Sequence, residues 1–297
     1  MADLPAPRST RRALDGAALC RVRHRLAGAA QAPWLHREVA RRMADRLPLI
    51  LQAPRTVLDW GAAASGSAQA LRAACPRADI VPVSIDDDGP PVPATVAWWS
   101  PQRWRSPGAA KAARPAATLP AAAGDLLWSN MGLHWCVDPQ AEMRRWHEVL
   151  AVDGFLMFST LGPGTLASLR NLYAAQDWPP PHAPFVDMHD LGDMLVGAGF
   201  ADPVMDQETL TLSWADGQAL LAELRTWGGN VDPARHAGLR TPRWRDALLA
   251  ALSAVPGERP VMGFEVVYGH AFRPLPRPRV AAETTVGLQD MRSILRG

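Results

Sequence analysis

The chain is poor in cysteine, in lysine and in long apolar runs, and each shortage narrows what it can be. Its three cysteines, Cys20, Cys75 and Cys136, are odd in number and form no Cys-x-x-Cys pair. That argues against a disulfide framework and against a zinc site, so no metal ligand is expected, and a reducing cytosol fits. Lys111 is the only lysine among 31 basic residues. Together with the abundance of alanine and proline, this reflects a GC-rich coding bias and carries little functional weight. No run approaches the roughly 18 apolar residues of a membrane span, and the N-terminal residues lack the continuous apolar core of a secretion signal. The expectation is a soluble cytoplasmic protein without membrane contact. Nor do the 12 tryptophans interleave with basic residues in a groove-like motif, which argues against nucleic acid as a partner.

What is present is the composition of a folded domain. Of 297 residues, 48% are hydrophobic and 20% charged, with a net charge of +2, far from the signature of disorder. The length suits one large α/β domain with insertions or two small domains. Arginines cluster early, at Arg11, Arg12, Arg21, Arg23, Arg25, Arg37, Arg41, Arg42 and Arg46. The cluster reads either as a patch that meets an acidic partner or as a solvated helical face.

Residues 1–12 lack periodicity and read as a loose arm, part of an N-terminal arm and helical segment over 1–32. In PWLHREVARRMADRL, Pro33 suits a first helical turn, and Leu35, Val39, Met43 and Leu47 recur every four residues as one apolar stripe. Short apolar runs then alternate with amphipathic segments, the pattern of a parallel α/β sheet. TVLDW, DIVPVSI, DLLWS and GFLMFST read as strands, with helices over GSAQALRAAC and PQAEMRRWHEVL and a turn at Asp153-Gly154 leading into GFLMFST. Residues 87–123, rich in proline and alanine, should hold loops and short elements. GPGTLASLRNLYAAQ, MHDLGDMLVGAGF, DGQALLAELRTW and RWRDALLAAL read as helices, DPVMD and ETLTLSW as two β-like segments, and FEVVYGHAF as a last strand. The expected architecture is α/β, a doubly wound, mostly parallel seven-stranded sheet over 33–273. A weakly helical tail over 274–297 follows it.

In such a sheet, ligands bind beyond the carboxyl ends of the strands. That rule brings VLDWGAAASG, the Ser84 to Asp88 region and WSNMGLHW to one rim. Asp59, Gly61, Ala63, Ser84, Asp86, Ser129 and Asn130 become the candidate cofactor-binding residues. Asp59 at its strand end can accept hydrogen bonds from loop amides, and small residues let the backbone approach a ligand closely. Gly61 is followed by Ala62, Ala63, Ala64 and Ser65, and left-handed geometry at Ala63 or Ser65 would cost about 1–2 kcal/mol each. An ordinary strand-to-helix turn is the competing reading of this stretch, and a solvated acidic turn is that of DDDGPP.

WSNMGLHWCVDP (128–139) and EVLAVDGFLMFSTLGPGTLASLR (148–170) resemble the class I S-adenosylmethionine-dependent methyltransferases. FSTLGPGTLASLR, FVDMHDLGDMLVGAGFADPVMDQETLTLSW and FEVVYGHAF, with Glu265, Tyr268, Gly269 and His270, narrow the resemblance to the malonyl-acyl carrier protein O-methyltransferases of biotin synthesis. It spans Thr56 to Phe272 and is densest after Trp128. It implies a Rossmann-like fold, S-adenosylmethionine as cofactor, a carboxylate acceptor and an acyl carrier protein as partner, which the early arginines would dock. The departures lie on the cofactor side. Gly61-Ala62-Ala63-Ala64-Ser65 stands for the family's Gly-Cys-Gly-Thr-Gly turn, Ser84 for its acidic ribose ligand, and no tyrosine occurs in DGAALCRVRHRLAGAAQ.

For the chemistry so implied, Arg170 is the candidate to orient the carboxylate, because a guanidinium fork matches its geometry. His134 and His182, and also His189, are candidates for the pocket wall or for hydrogen bonds to the acceptor, against the alternative of satisfied structural residues. Arg225 is expected on the outer face of its helix. Phe155, Phe158, Trp128, Trp135 and Trp146 are expected in the core. Two functions stay open: an active O-methyltransferase, and an inactive relative that serves as a binding or assembly module.

Overall fold

Side-chain alternation sets the layering. Along β1 (Thr56–Trp60), β4 (Gly124–Asn130) and β5 (Leu150–Leu161), successive apolar residues point to opposite faces of the sheet. Val57, Leu126, Trp128, Phe155 and Met157 enter one core, while Leu58, Leu127, Leu156 and Phe158 enter the other. Both faces are apolar, so both must be covered by helices, as in parallel sheets generally. The structure is a computed structural model that describes residues 11–50, 53–85, 112–253 and 259–275. Asp86 and most of the expected tail lie outside the described residues.

With β2 (Asp79–Ser84), β3 (Arg114–Pro115), β6 (Ala201–Ser213) and β7 (Val261–Phe272), the sheet has seven strands in the order β3-β2-β1-β4-β5-β7-β6. The first five pair in parallel, and β7 runs antiparallel between β5 and β6. The strand number is as expected, but its make-up differs in two places. DPVMD and ETLTLSW form one strand, β6, whose half-buried and exposed residues alternate with only a brief lapse through the expected gap. The remaining strand is β3, two residues inside the proline-rich stretch. It lies at the sheet edge, where Pro115 removes no ladder bond that the fold needs. The Asp153-Gly154 turn falls inside β5: Leu150 pairs with Gly124 and Phe155 with Leu126, so residues 151–154 bulge out, with Asp153 at φ +63°.

Helices α2 (Trp34–Ala44), α4 (Ala68–Ala74), α6 (Ala167–Ala175), α8 (Gly217–Thr226) and α9 (Pro242–Leu252) cover the first face through Val39, Met43, Leu71, Leu169, Leu220 and Leu248. Helices α5 (Pro139–Val149) and α7 (Met188–Gly197) cover the second through Met143, Trp146, Leu191 and Leu195. Helix α1 (Gly16–Ala27) belongs to neither core. Its Leu19, Val22 and Leu26 pack with Ala183 and Val231 in a cluster of their own. Arginine-to-carbonyl bonds hold this segment to three loops. Arg12 donates to His134 O and Pro184 O, Arg23 to Trp135 O, and Arg25 to Gly228 O.

The turn after β1 resolves the question of the missing glycines. Residues Ala62–Ser65 form a short helix, α3, and the left-handed positions fall on its two flanks, Gly61 at φ +73° and Gly66 at φ +66°. Ala63 and Ser65 therefore carry none of the expected left-handed strain. A Cβ at Gly66 would also lie 3.0 Å from both Ala32 Cβ and Arg37 Cγ. Gly66→Ala is thus expected to destabilise the fold by at least about 1–2 kcal/mol, whereas Ala63→Gly costs only about 0.5–1 kcal/mol. Urea unfolding of the two variants checks this; a smaller loss for Gly66→Ala than for Ala63→Gly would contradict the backbone assignment.

Candidate active site

The carboxyl ends of β1, β2 and β4 meet beside the N-terminal half of α2. Asp59 pairs in register with Trp128, and Gly61 N–H donates to Val83 O at 3.0 Å, so Asp59, Ser84, Ser129 and Asn130 share one rim. Helix α2 closes on it because residue 36 lies on the same stripe as Val39, Ala40 and Met43. His36 is buried there, and its Nδ1 lies 2.8 Å from Ala64 O. A carbonyl can only accept, so Nδ1 carries the proton. Burial lowers the His36 pKa to about 4, which leaves the ring neutral.

Asn130 joins the parts. Its Nδ2 donates to His36 O at 2.8 Å and to Ser65 O at 2.5 Å, and its Oδ1 accepts from Ser159 Oγ at 2.7 Å. Ser65, in place of a family glycine, donates its hydroxyl to Asp59 Oδ1 at 3.2 Å and accepts from Ser67 N–H. Burial raises the Asp59 pKa to about 7, partly offset by this bond. Trp128, buried as expected, donates from Nε1 to Ser67 Oγ at 2.8 Å.

A cavity of about 610 Å³ adjoins the rim, and His36 and Met131 lie at the boundary between them. It lies between the loops after β4 and β5, the segment before α7, and helices α8 and α9. His134 and His182 both line it, and each is in ring contact with Phe185. Each carries a buried ring nitrogen, His134 Nδ1 and His182 Nε2, with no hydrogen-bond partner among the described residues. Burial lowers both pKa values, that of His134 well below the ordinary range. The two long family motifs meet at the cavity's edge, where Glu265 accepts from Gly164 N–H at 2.8 Å and its carbonyl accepts from the Thr165 hydroxyl.

The other candidates are dispersed. Arg170 is exposed on α6, donates to Pro163 O at 3.1 Å, and bears on His182 only through its field. His189 is exposed and sits 2.8 Å from Asp187 at the start of α7. Arg225, read as outward-facing, is exposed and lines the cavity, as does half-buried Trp135, read as core. His36, Ser65 and Ser159 were not foreseen. His36 could have been found from its place on the apolar stripe of α2, whereas the serines carry no comparable local signal.

Parallel strands with an antiparallel β7 set in before the edge, and a rim at the ends of β1, β2 and β4, define a class I methyltransferase domain. A family model described as "Methyltransferase domain" matches residues 34–202. A malonyl-[acyl-carrier protein] O-methyltransferase of Laribacter hongkongensis is 39% identical over 258 residues, 84% of this chain and 86% of that protein. One from Gallionella capsiferriformans is 37% identical over 248 residues, 82% and 85% of the two chains. Among solved structures, the YcgJ protein of Bacillus subtilis matches with a TM-score of 0.50 at 13% identity, over 80% of this chain and 99% of its own, and shares the fold. The chain belongs to the malonyl-[acyl-carrier protein] O-methyltransferase family. S-adenosylmethionine is the cofactor of this class, and the rim suits it: both left-handed turn positions are glycine, and a carboxyl, hydroxyls and an amide converge there.

The Asp59 pKa gives a pH test. Its folded value lies above the unfolded one, near 3.9, so its contribution is favourable in acid and is lost as pH rises toward about 7. Asp59→Asn keeps the acceptor for Ser65 but cannot ionise. The variant should unfold at higher urea than the parent at pH 7.5, with the gap shrinking toward pH 4. A gap that widens in acid would show that Asp59 is ionised throughout.

Proposed function

We propose that this chain methylates the free carboxylate of a malonyl thioester on acyl carrier protein, a step of biotin synthesis. The observation that carries the reading is the meeting of the acceptor cavity with the cofactor rim at His36 and Met131. The names of the relatives supply the acceptor. When bound, S-adenosylmethionine supplies a sulfonium methyl group, which a carboxylate oxygen accepts to give a methyl ester and a neutral thioether.

A malonyl carboxylate is ionised at neutral pH, so the protein needs no strong general base. That agrees with His36, His134 and His182, all held neutral by burial. Their task is to wall and orient, and positioning alone can contribute about 7–11 kcal/mol to such a reaction. On the cofactor side, Asp59, Gly61, Ala63, Ser84 and Ser129 would hold S-adenosylmethionine, while Asn130, expected among them, has both N–H groups and its carbonyl bonded within the protein. Asn130 and Ser65 keep the turn in the shape that lets them do so. Ser84, at the end of β2, offers a neutral hydroxyl where an acidic ribose ligand is usual.

Isothermal titration with S-adenosylmethionine should show micromolar binding, and methyl transfer to a malonyl thioester should follow. Ser84→Asp should tighten cofactor binding about 10- to 150-fold, the worth of a charged hydrogen-bond acceptor. No binding of cofactor up to millimolar concentration would overturn the reading, and unchanged affinity in the variant would remove Ser84 from the ribose position.

A further inference from the structure

The cavity wall carries cationic groups that the rim lacks. Arg225 of α8, Arg240 of the α8–α9 connection and Arg245 of α9 all line the cavity, and no carboxylate does among the described residues. Arg225 and Arg245 are exposed, and Arg240 is half-buried with its guanidinium carbon 4.2 Å from the Trp244 ring centroid. None of the three guanidinium groups forms a hydrogen bond or an ion pair among the described residues. Surface arginines more often answer a nearby acid, as Arg41 and Arg42 do with Glu38. Helix α9 starts at the same place. Thr241 caps it, its side chain accepting from Trp244 N–H, and the first turn holds no acidic residue to offset the positive helix end.

Much of the remaining wall is aromatic or apolar, with Tyr173, Trp227, Leu248 and Phe264. Trp244 Nε1, on the same wall, is buried and has no partner among the described residues. The cavity thus suits a ligand that carries an anion for the arginines, an apolar stretch with an acceptor for the Trp244 N–H, and a reacting group for the side of His36 and His134. We infer that Arg225, Arg240 and Arg245 bind the phosphate of a phosphopantetheinyl thioester, holding its arm so that the acyl carboxylate reaches the rim. The inference rests on the proposed thioester substrate and adds the means by which it is recognised. A guanidinium group pairs with phosphate oxygens through two parallel hydrogen bonds, and three unpaired ones beside a helix N-terminus form an anion site.

The test compares 4′-phosphopantetheine with pantetheine, the same arm without phosphate, by isothermal titration. The phosphorylated form should bind at least about tenfold more tightly, as expected for one or more charge-assisted hydrogen bonds. In Arg225→Gln/Arg240→Gln/Arg245→Gln the preference should fall close to one. Equal binding of the two arms, a preference that survives in the variant, or no binding of either arm would each overturn the inference. Single Arg225→Gln and Arg245→Gln variants, altered only at exposed positions, keep the test open if the triple variant does not fold; each should reduce the preference. Coenzyme A and holo acyl carrier protein, added as further titrants, distinguish a free from a carrier-bound source of the phosphate. Methyl transfer to malonyl-N-acetylcysteamine, which has no phosphate, reports on the proposed reaction separately. Transfer with no phosphate preference sinks the arginine assignment alone, and preference without transfer sinks the reaction.

Discussion

The site depends on one carboxamide. Asn130 has two N–H groups and one carbonyl to place, and it gives the first two to His36 O and Ser65 O and takes a hydroxyl from Ser159 with the third. Those partners stand on α2, on the turn after β1 and on β5, so a single side chain fixes the rim's three walls to the end of β4. The partners of Nδ2 are carbonyls, which only accept, so the amide has one possible orientation. Removing such a group would leave buried polar atoms unpaired on every side, at about 1–3 kcal/mol each.

Around this fixed point the molecule separates two kinds of environment. At the rim, polar groups are buried and satisfy one another, and the carboxyl of Asp59 is pushed toward neutrality. In the cavity the histidines are neutral and the cationic groups are arginines. The family motifs that look most like a site in the sequence, GPGT and the Glu265 strand, bind each other and brace the loop after β5. Their role is to hold the cavity wall.

Much of the fold could be read from the chain because its signals are local. Short continuous apolar runs mark β1, β4 and β5, and the stripe on α2 marks its buried face. The rim, too, follows from strand order. What could not be read depends on distant partners or on backbone shape. Two-residue β3 exists only because β2 offers it an edge, and β6 runs through a polar stretch because β7 pairs with it along its length. The loss of glycines after Gly61 suggested a failed turn, yet the left-handed positions moved to Gly61 and Gly66, and a one-turn helix took up the interval. His36 and Asn130 become site residues only when α2 folds over the rim. The arginines of α8 and α9 are far apart in sequence from the motifs they serve.

Arg12 shows how charge is handled here. It is a cation bonded to two backbone carbonyls, with no carboxylate partner among the described residues, and it stands next to His134, whose protonation it opposes. Arginine does not titrate in the range where enzymes work, and the cavity's histidines have already been driven neutral. A response of the reaction to pH near neutrality would then report Asp59 at the rim rather than a group of the cavity wall.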